Sequence, residues 1–180
     1  TVGGGVRNVA SNNTSTVVGG NDNTASGQSS TVGGGNDNTA SGFASWAGGS
    51  RAKTQTADAT PVRHDGAFVW SDSSFFDFHS TANNEFAVRA TGGARFVSAI
   101  DGAGNPTRAT RINSNGELEF GYAARQMLNL FGPEYGIGVQ SFTLYMRSAG
   151  EYSWHRGGTH SDNANDPGVG GTELMRLQSN

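Results

Sequence analysis

The first fifty residues of the chain repeat one pattern at a step of fifteen residues. Thr1, Thr16 and Thr31 open successive copies, which read TVGGGVRNVASNNTS, TVVGGNDNTASGQSS and TVGGGNDNTASGFA. A fourth, partial copy, SWAGGSRAKT, arrives one residue early. A constant period of this length is typical of stacked architectures, in which each unit buries its apolar residues against the next. The repeat therefore predicts a coil of successive rungs over residues 1–50.

Each copy is predicted to form two short strands and two turns rather than a helix. Segments of Thr, Val, Ser and Ala alternate with GGG-NDN and SG clusters. Glycine and Asn–Asp runs favour positive φ and tight turns, and they are poor helix formers. A copy of this length accommodates two strands of about five residues with two turns, which is one rung of a β-roll.

Equivalent residues of successive rungs should stack in columns. The spacing predicts a valine column of Val2, Val17 and Val32 that continues to Trp46. Two further columns keep the same step, one of alanine and one of turn glycine: Ala10, Ala25 and Ala40, and Gly5, Gly20 and Gly35. Because valine and alanine make only a narrow interior, three rungs would hardly be stable alone.

The segment STVGGGNDNTASG resembles the YadA-like, or haemagglutinin-type, head repeats of trimeric autotransporter adhesins. Similar repeats occur in trimeric tail-fibre-like proteins. The resemblance covers roughly residues 1–50, where glycine pairs and the element N-x-A-S-G recur in register. It implies a left-handed parallel β-roll in which three chains pack side by side around a threefold axis.

Composition favours an oligomer over a self-sufficient globule. Leu, Ile, Val and Phe supply only 31 of 180 residues, glycine supplies 28, and cysteine is absent. Such a chain, with a net charge of only −3, is expected to gain order from repetition and from self-association. The small charge argues against nucleic acid or an acidic membrane surface as a partner.

The ends of the sequence predict an internal or processed piece. It starts at Thr1 within a repeat and shows no initiator methionine, signal peptide or run of eighteen apolar residues. We expect no direct membrane insertion by this piece. The predicted location is extracellular, on a bacterial cell surface with the outer-membrane anchor elsewhere in the chain, or at the tip of a phage or fibre.

After the repeats, residues 51–65 read as a polar connector and residues 66–180 as a β-strand-rich trimeric fibre domain. Segments such as SFTLYMRS alternate apolar and polar residues, which is typical of half-buried strands. Helical alternatives remain open for AKTQTADA and AARQMLNL. The fold class predicted for the whole chain is therefore all-β.

A second resemblance lies in this region. The segment DGAFVWSDSS…FHSTANNEFAVRATGGARF is similar to one that follows such repeats in bacterial fibre-like proteins. The ending TELMRLQSN resembles the strand that precedes a tail-fibre-type intramolecular chaperone domain. The resemblance implies an extended trimeric fibre.

Metal binding is a weaker interpretation than turn formation. His155 and His160 flank a turn, with Asp162, Asn163 and Asp166 close by in sequence. A threefold axis could also gather one histidine from each chain. Another candidate is a calcium ladder, which would use the repeated aspartates Asp22 and Asp37. Asn and Asp are common turn formers, so we predict no metal and no cofactor.

Catalytic motifs such as G-x-S-x-G, H-E-x-x-H and the P-loop are missing from the sequence. Glu117 and Glu119 lie two apart on one strand face, and glycosidases use paired carboxylates. A polar strand face explains them equally well. We predict a non-enzymatic protein.

Aromatic residues are the stronger lead to function. Exposed aromatic side chains stack on sugars and anchor protein interfaces. The candidate ligand-binding residues are Phe75, Phe76, Tyr152 and Trp154, whereas Trp70 and Phe86 are expected to fill a trimer core. The leading hypothesis is a homotrimeric adhesin head segment that attaches to a host or cell-surface protein or glycan. The alternatives are a phage or contractile-injection tail-fibre segment that recognises a glycan, and a fibre-borne glycan hydrolase.

Overall fold

A computed structural model describes residues 1–121, 125–130 and 133–178. Within these residues the chain forms only strands, turns and loops, so the all-β prediction is confirmed. No helix long and apolar enough to cross a bilayer is found in this described part. The chain divides into two compact units, Thr1–Ala94 with Ile112–Glu117, and Arg95–Arg111 with Leu118–Asn180.

The first unit is a parallel β-solenoid of about five turns with rungs of about fifteen residues. Its ten strands, β1–β10 in chain order, alternate between two five-stranded sheets. We call the sheet of odd-numbered strands the odd sheet and that of even-numbered strands the even sheet. The odd sheet contains β1 (Val9–Ala10), β3 (Thr24–Ala25), β5 (Thr39–Ala40), β7 (Ala52–Lys53) and β9 (Phe78–His79). The even sheet contains β2 (Thr16–Val17), β4 (Thr31–Asn36), β6 (Trp46–Ser50), β8 (Phe68–Ser71) and β10 (Phe86–Arg89).

The interior columns follow the repeat. Val17 lies opposite Val32 in the even sheet, and Ala25 lies opposite Ala40 in the odd sheet. All four side chains are fully buried. Val2 bridges to Val17 at the start of the stack. Valine and alanine side chains thus make up the buried cluster of the solenoid.

Trp46 does not continue the valine column. It pairs with Thr31, and the fully buried Ala47 pairs with Val32 instead. The residue missing from the fourth copy is absorbed by a register shift between Val32 and Gly35, after the column position. The strand start therefore keeps its step of fifteen, and the tryptophan faces outward.

Asparagine forms a third interior column, at the same step of fifteen residues. The side-chain amide of Asn38 donates to Asn23 Oδ1 at 2.9 Å, and that of Asn23 donates to Asn8 Oδ1 at 3.1 Å. Asn23 and Asn38 are fully buried. The constant spacing of these amides links the first three rungs by side-chain hydrogen bonds as well as by the strand ladders.

The solenoid extends beyond residue 50, where the sequence repeat fades. Strand β7 lies in the segment predicted as a connector, and β8 and β10 add parallel strands to β6. Val69 and Ala87 continue the buried column of Val32 and Ala47. These later rungs keep their strand positions but carry longer loops, so the sequence period disappears while the stacking persists.

The second unit consists of small sheets. Strands β11 (Ala94–Ile100), β12 (Pro106–Ile112) and β13 (Leu118–Glu119) form one sheet. Strands β14 (Arg125–Asn129), β15 (Gly136–Gln140) and β16 (Thr143–Arg147) form an antiparallel sheet, and β17 (Tyr152–Arg156) pairs antiparallel with β18 (Thr172–Leu177).

Neither helical alternative is observed in the described residues. AKTQTADA begins as strand β7, and AARQMLNL contributes strand β14. Its two alanines, Ala123 and Ala124, lie outside the described residues.

Candidate functional site: an anchored aromatic loop and an uncharged sheet face

The loop that joins β8 to β9, residues 72–77, carries two neighbouring phenylalanines at its tip. We call it the aromatic loop. Phe75 is 84% exposed and Phe76 is 79% exposed. Apolar side chains this bare are costly to hydrate, and on protein surfaces they are typical of contact sites. The aromatic loop is therefore the first candidate site.

Arg89, at the end of β10, anchors the aromatic loop through side-chain hydrogen bonds. Its guanidinium donates to the carbonyl oxygens of Phe76 at 2.6 Å and Ser74 at 3.2 Å, and it also donates to Ser71 Oγ. Its Nε donates to Asp72 Oδ1 at 3.1 Å. Because Arg89 belongs to the last strand of the even sheet, these bonds fasten the loop directly to the rigid stack.

The acidic residues at both ends of the loop complete the anchoring. Asp72 Oδ2 accepts from the backbone N–H and the hydroxyl of Thr91, both at 2.7 Å. These bonds, with those from Ser74, hold the pKa of the Asp72 carboxyl well below its usual range. At the other end, Asp77 pairs with Arg51 at 3.0 Å, and Arg51 also pairs with Asp37 at 3.0 Å.

A loop fixed in this way can present its phenylalanines without a large loss of conformational freedom on binding. Ordering a flexible loop costs about 1–2 kcal/mol per residue in backbone entropy. Here much of that cost is met on folding, since Asp72, Ser74, Phe76 and Asp77 are all bonded to the stack. The geometry suits a recognition element rather than a linker.

The outer face of the even sheet is the second candidate site. Since residues alternate across a strand, the neighbours of the buried valine column point outward. We call these outward positions the aromatic face: Thr16, Thr31, Trp46, Phe68 and Phe86 in one column, and Gly48, Trp70 and Val88 in the next. None of these eight residues carries a charge.

Aromatic rings stack along this face at the spacing of the strands. The ring centroids of Trp46 and Phe68 lie 4.4 Å apart, and those of Phe68 and Phe86 lie 4.9 Å apart. Gly33 and Gly48 make room for the indole, because a Cβ at either position would come within 2.4 Å of the Trp46 ring. Phe86, the last ring of the column, remains 71% exposed.

The odd sheet is polar by contrast. Its outward column starts at the exposed Val9 and continues through Thr24, Thr39, the largely buried Lys53 and His79. The Lys53 ammonium donates to the Asp37 carboxylate at 2.8 Å, and Asp22 pairs with Arg7 at 2.5 Å. The aspartates considered for a calcium ladder are thus ion-pair partners of cationic side chains.

In the second unit, His155 and His160 line one polar cleft of about 410 Å³. Asn163 and Asp166 also line this cleft, whereas Asp162 pairs with His160 at 3.1 Å. Hydrogen bonds from Ser161 and the Gly168 backbone lower the pKa of Asp166. No three His, Asp or Glu side chains within the described ranges are grouped as a metal site would require.

The other aromatic candidates form a pair in this unit. The rings of Tyr152 and Trp154 stack with centroids 6.4 Å apart, and the Tyr152 hydroxyl donates to the Met146 carbonyl at 2.5 Å. The predicted ligand-binding residues therefore fall into two separate pairs, one in each unit.

The two glutamates considered for catalysis each have a polar partner. Glu117 accepts from the Asn113 side chain at 2.7 Å, and Glu119 pairs with Arg111. Both partners lie at or near the turn that follows β12.

Sequence reasoning found the exposed phenylalanines but not the residue that organises them. In the segment NEFAVRATGG, Arg89 lies on the opposite side of the strand from Phe86 and Val88. Its position directly after two strand residues of the aromatic face is the signal that could have indicated an anchoring role, since a cation there must find carbonyl or carboxylate partners.

No protein-family model, no curated protein and no solved structure matches this chain.

Proposed function

We propose that this chain is a segment of a non-enzymatic, homotrimeric surface fibre that attaches its bearer to a host cell or a neighbouring cell. In this proposal the solenoid is a left-handed roll, and three rolls pack around a threefold axis outside the cell. The fold supplies the platform, and the aromatic loop supplies the contact.

The observation that carries the proposal is the combination of Phe75 and Phe76, both largely exposed, with the anchoring of their loop by Arg89. Other large apolar residues are exposed in one copy, but Phe75 and Phe76 stand together at the tip of a loop that hydrogen bonds from Arg89 hold in place, as is expected of a contact site. The phenylalanines are thus proposed as the residues that contact the attached surface.

Attachment through three copies of one small loop would rely on avidity. A pair of aromatic side chains gives a weak contact, but linking several such contacts strengthens overall binding by a factor of roughly 10² to 10⁴. A homotrimer presents the loop three times on one rigid body, which suits adhesion to a surface that displays many receptors.

The experiment compares binding of the fluorescently labelled protein to cultured cells and to bacteria. The test variant is Phe75→Ser with Phe76→Ser, and the matched control is Phe142→Ser, which removes a fully exposed phenylalanine from the second unit. We expect the loop variant to lose at least about tenfold in apparent affinity while the control binds like the wild type. Equal binding by all three proteins would refute the role assigned to the loop.

A second candidate function is that of a tail-fibre segment that recognises a glycan. The polar cleft of about 410 Å³ and the stacked pair of Tyr152 and Trp154 favour it, because sugars bind to polar pockets and aromatic faces. The test is binding to a glycan array by the wild type and by His155→Ala and Trp154→Ala. Saturable binding that both variants lose would favour this candidate over the loop-mediated contact.

A further inference from the structure

The outer face of the even sheet is, we propose, the surface through which copies of this chain associate. The inference rests on the homotrimer of the proposed function and assigns its interface to the aromatic face, with Trp46, Phe68, Trp70, Phe86 and Val88 at its centre. The partner of this face is a second copy of the same chain.

Charge is the first argument for a second copy. When two identical faces meet, every charged residue faces a like charge from its copy or must find an oppositely charged position on it. The aromatic face avoids this conflict, because it contains no charged residue over five strands. Heterologous partners are usually selected by complementary charges, which this face does not offer.

The amount of exposed apolar surface is the second argument. An aromatic side chain presents about 150–250 Å². Phe86 is 71% exposed, Trp70 is 38% exposed and Val88 is 40% exposed, and the half-buried Trp46 and Phe68 add to them. Together they offer on the order of 400 Å² of apolar surface, roughly half of the 800 Å² that a stable interface covers on each partner. About 56–65% of such an interface is apolar, so the aromatic face provides most of the apolar part.

The spacing of the rings is the third argument. The column of Trp46, Phe68 and Phe86 advances by 4.4 and 4.9 Å, which is the separation of neighbouring strands. A second copy advances by the same step, so the ring edges of the two columns can pack against each other at three successive rungs rather than at one. The outward column of the odd sheet offers no comparable surface, because it carries one exposed apolar residue, Val9, and no aromatic ring other than the imidazole of His79.

The experiment measures mass by light scattering coupled to size exclusion. The wild type is expected at three times the 18.7 kDa of the chain. The test variant is Phe86→Gln with Val88→Gln, which makes the exposed end of the face polar without adding charge. The control is Phe75→Gln with Phe76→Gln, which removes an equal or larger exposed apolar area from the aromatic loop. We expect the face variant to run at one third of the wild-type mass and the loop variant to keep the wild-type mass.

Two measurements guard against a folding defect. Far-ultraviolet circular dichroism must show unchanged strand content for each variant. Trp70→Gln serves as a second face variant, because Trp70 is partly exposed and lies outside the stacked column of rings. Its mass should fall in the same way.

The outcomes separate the inference from the function on which it rests. A wild-type trimer whose folded face variants remain trimeric would overturn the aromatic face as the interface and leave attachment through the loop intact. A monomeric wild type would overturn the trimer itself, and with it this interface. A folded face variant that is monomeric, and that binds cells about 10²-fold more weakly than the trimer, supports both.

Discussion

Asn38 uses its whole side-chain amide inside the protein. Its Nδ2 donates to Asn23 Oδ1 at 2.9 Å and to the carbonyl oxygens of Gly34 at 3.1 Å and Gly49 at 2.9 Å. Its Oδ1 accepts from the Ala52 backbone N–H at 2.9 Å. A buried amide is tolerated when its donors and acceptors are paired, and here the pairing also joins three successive rungs.

Replacing this residue should therefore destabilise the solenoid. Asn38→Ala leaves the Ala52 N–H and the carbonyl of Gly49 without their side-chain partner in a buried site. Each buried polar group left unpaired costs about 1–3 kcal/mol. We expect the free energy of unfolding, measured in urea, to fall by about 2 kcal/mol or more. Asn36→Ala, two residues earlier at the exposed end of β4, is the control; it removes the exposed hydrogen bond from Asn21 at 3.0 Å and should cost under about 1 kcal/mol. Equal losses would show that the ladder of amides does not stabilise the stack.

Asp72 should make the stability of the solenoid depend on pH in the acid range. Its folded-state pKa lies below the usual value because Thr91 and Ser74 donate hydrogen bonds to the carboxylate. For a lowered pKa, the stabilisation is complete above the unfolded-state value of about 3.9 and is lost as the pH falls from there towards the folded-state pKa.

The measurement compares wild type with Asp72→Asn in urea at several pH values. We expect the wild type to be the more stable protein at about pH 5 to 7, with a constant difference, and the difference to shrink below about pH 4. Asp58→Asn, in an exposed loop, serves as the control. A difference that is unchanged down to about pH 2 would mean that the carboxylate does not anchor the loop through its charge.

At the scale of the elements, successive rungs approach closely at the glycine column of Gly20 and Gly35. A Cβ on Gly35 would lie 1.9 Å from the carbonyl oxygen of Gly49, and one on Gly20 would lie 2.1 Å from that of Gly35. The adjacent Gly34 has nearly the same φ, +109° against +107°, but a Cβ there would meet nothing closer than 3.8 Å. Substitutions at Gly34 and Gly35 therefore distinguish the free-energy cost of backbone strain from the cost of a clash between rungs.

This comparison makes a prediction about Gly35→Ala and Gly34→Ala. Both variants pay for a left-handed φ, which costs about 1–2 kcal/mol for a residue with a Cβ. Only Gly35→Ala must also push the neighbouring rung away. We expect it to lower the unfolding free energy by at least about 2 kcal/mol more than Gly34→Ala does. Similar values for the two would indicate that the rungs separate easily at this turn.

The fold could be predicted from the sequence only where successive rungs contain the same number of residues. A step of fifteen residues with two strands per copy is confirmed, because the strand starts at Thr16 and Thr31 fall in one register. The continuation through β8 and β10 could not be read from the period. Trp46 pairs with Phe68 and Phe68 with Phe86, so the steps are twenty-two and eighteen residues and no repeat is visible. Stacking requires only that strand ends coincide, and loops of any length satisfy that condition.

For the candidate site, the sequence predicted which residue types would be exposed but not how they are arranged. The phenylalanines of DSSFFDFH stand out in a polar sequence, but their exposure depends on Arg89, which lies beyond the next strand. Hydrogen bonds from one guanidinium to several carbonyl oxygens leave no periodic pattern. The outward position of Trp46 was also missed, because a register shift after Val32 is invisible until the strands are paired.

At the scale of the whole molecule, the distribution of buried apolar residues favours association. Every hydrophobic side chain that is fully or nearly fully buried in the described ranges lies between Val17 and Ala87. Large apolar residues after Ala87, such as Phe96, Ile100 and Leu144, are mostly exposed within one copy. A chain of this kind has an interior of small residues and a surface of large ones, an arrangement that a second copy would correct by covering that surface.

The chemistry of the aromatic face predicts how such an association should respond to salt. An interface held by ion pairs weakens as sodium chloride screens its charges, with a screening length near 10 Å at about 0.1 M. The stability of an uncharged apolar interface does not depend on this screening. Sulfate strengthens such an interface, because excluded salts favour burial of apolar surface. We expect the dissociation constant of the oligomer, measured by sedimentation at low micromolar concentration, to change less than about twofold between roughly 0.05 and 0.5 M sodium chloride and to fall in ammonium sulfate of equal ionic strength.

The ion pairs elsewhere on the solenoid provide an internal comparison. Arg7 and Asp22 are exposed, and salt should weaken their interaction whether or not the chain associates. Arg7→Gln should therefore change the stability of the solenoid slightly in low salt and leave the dissociation constant unaltered. Dissociation that increases steeply with sodium chloride would place charged residues, rather than Trp70, Phe86 and Val88, at the contact between copies. Because the aromatic face spans all five strands of its sheet, an oligomer formed through it should instead dissociate in a single step on dilution, while the interior of each copy stays folded.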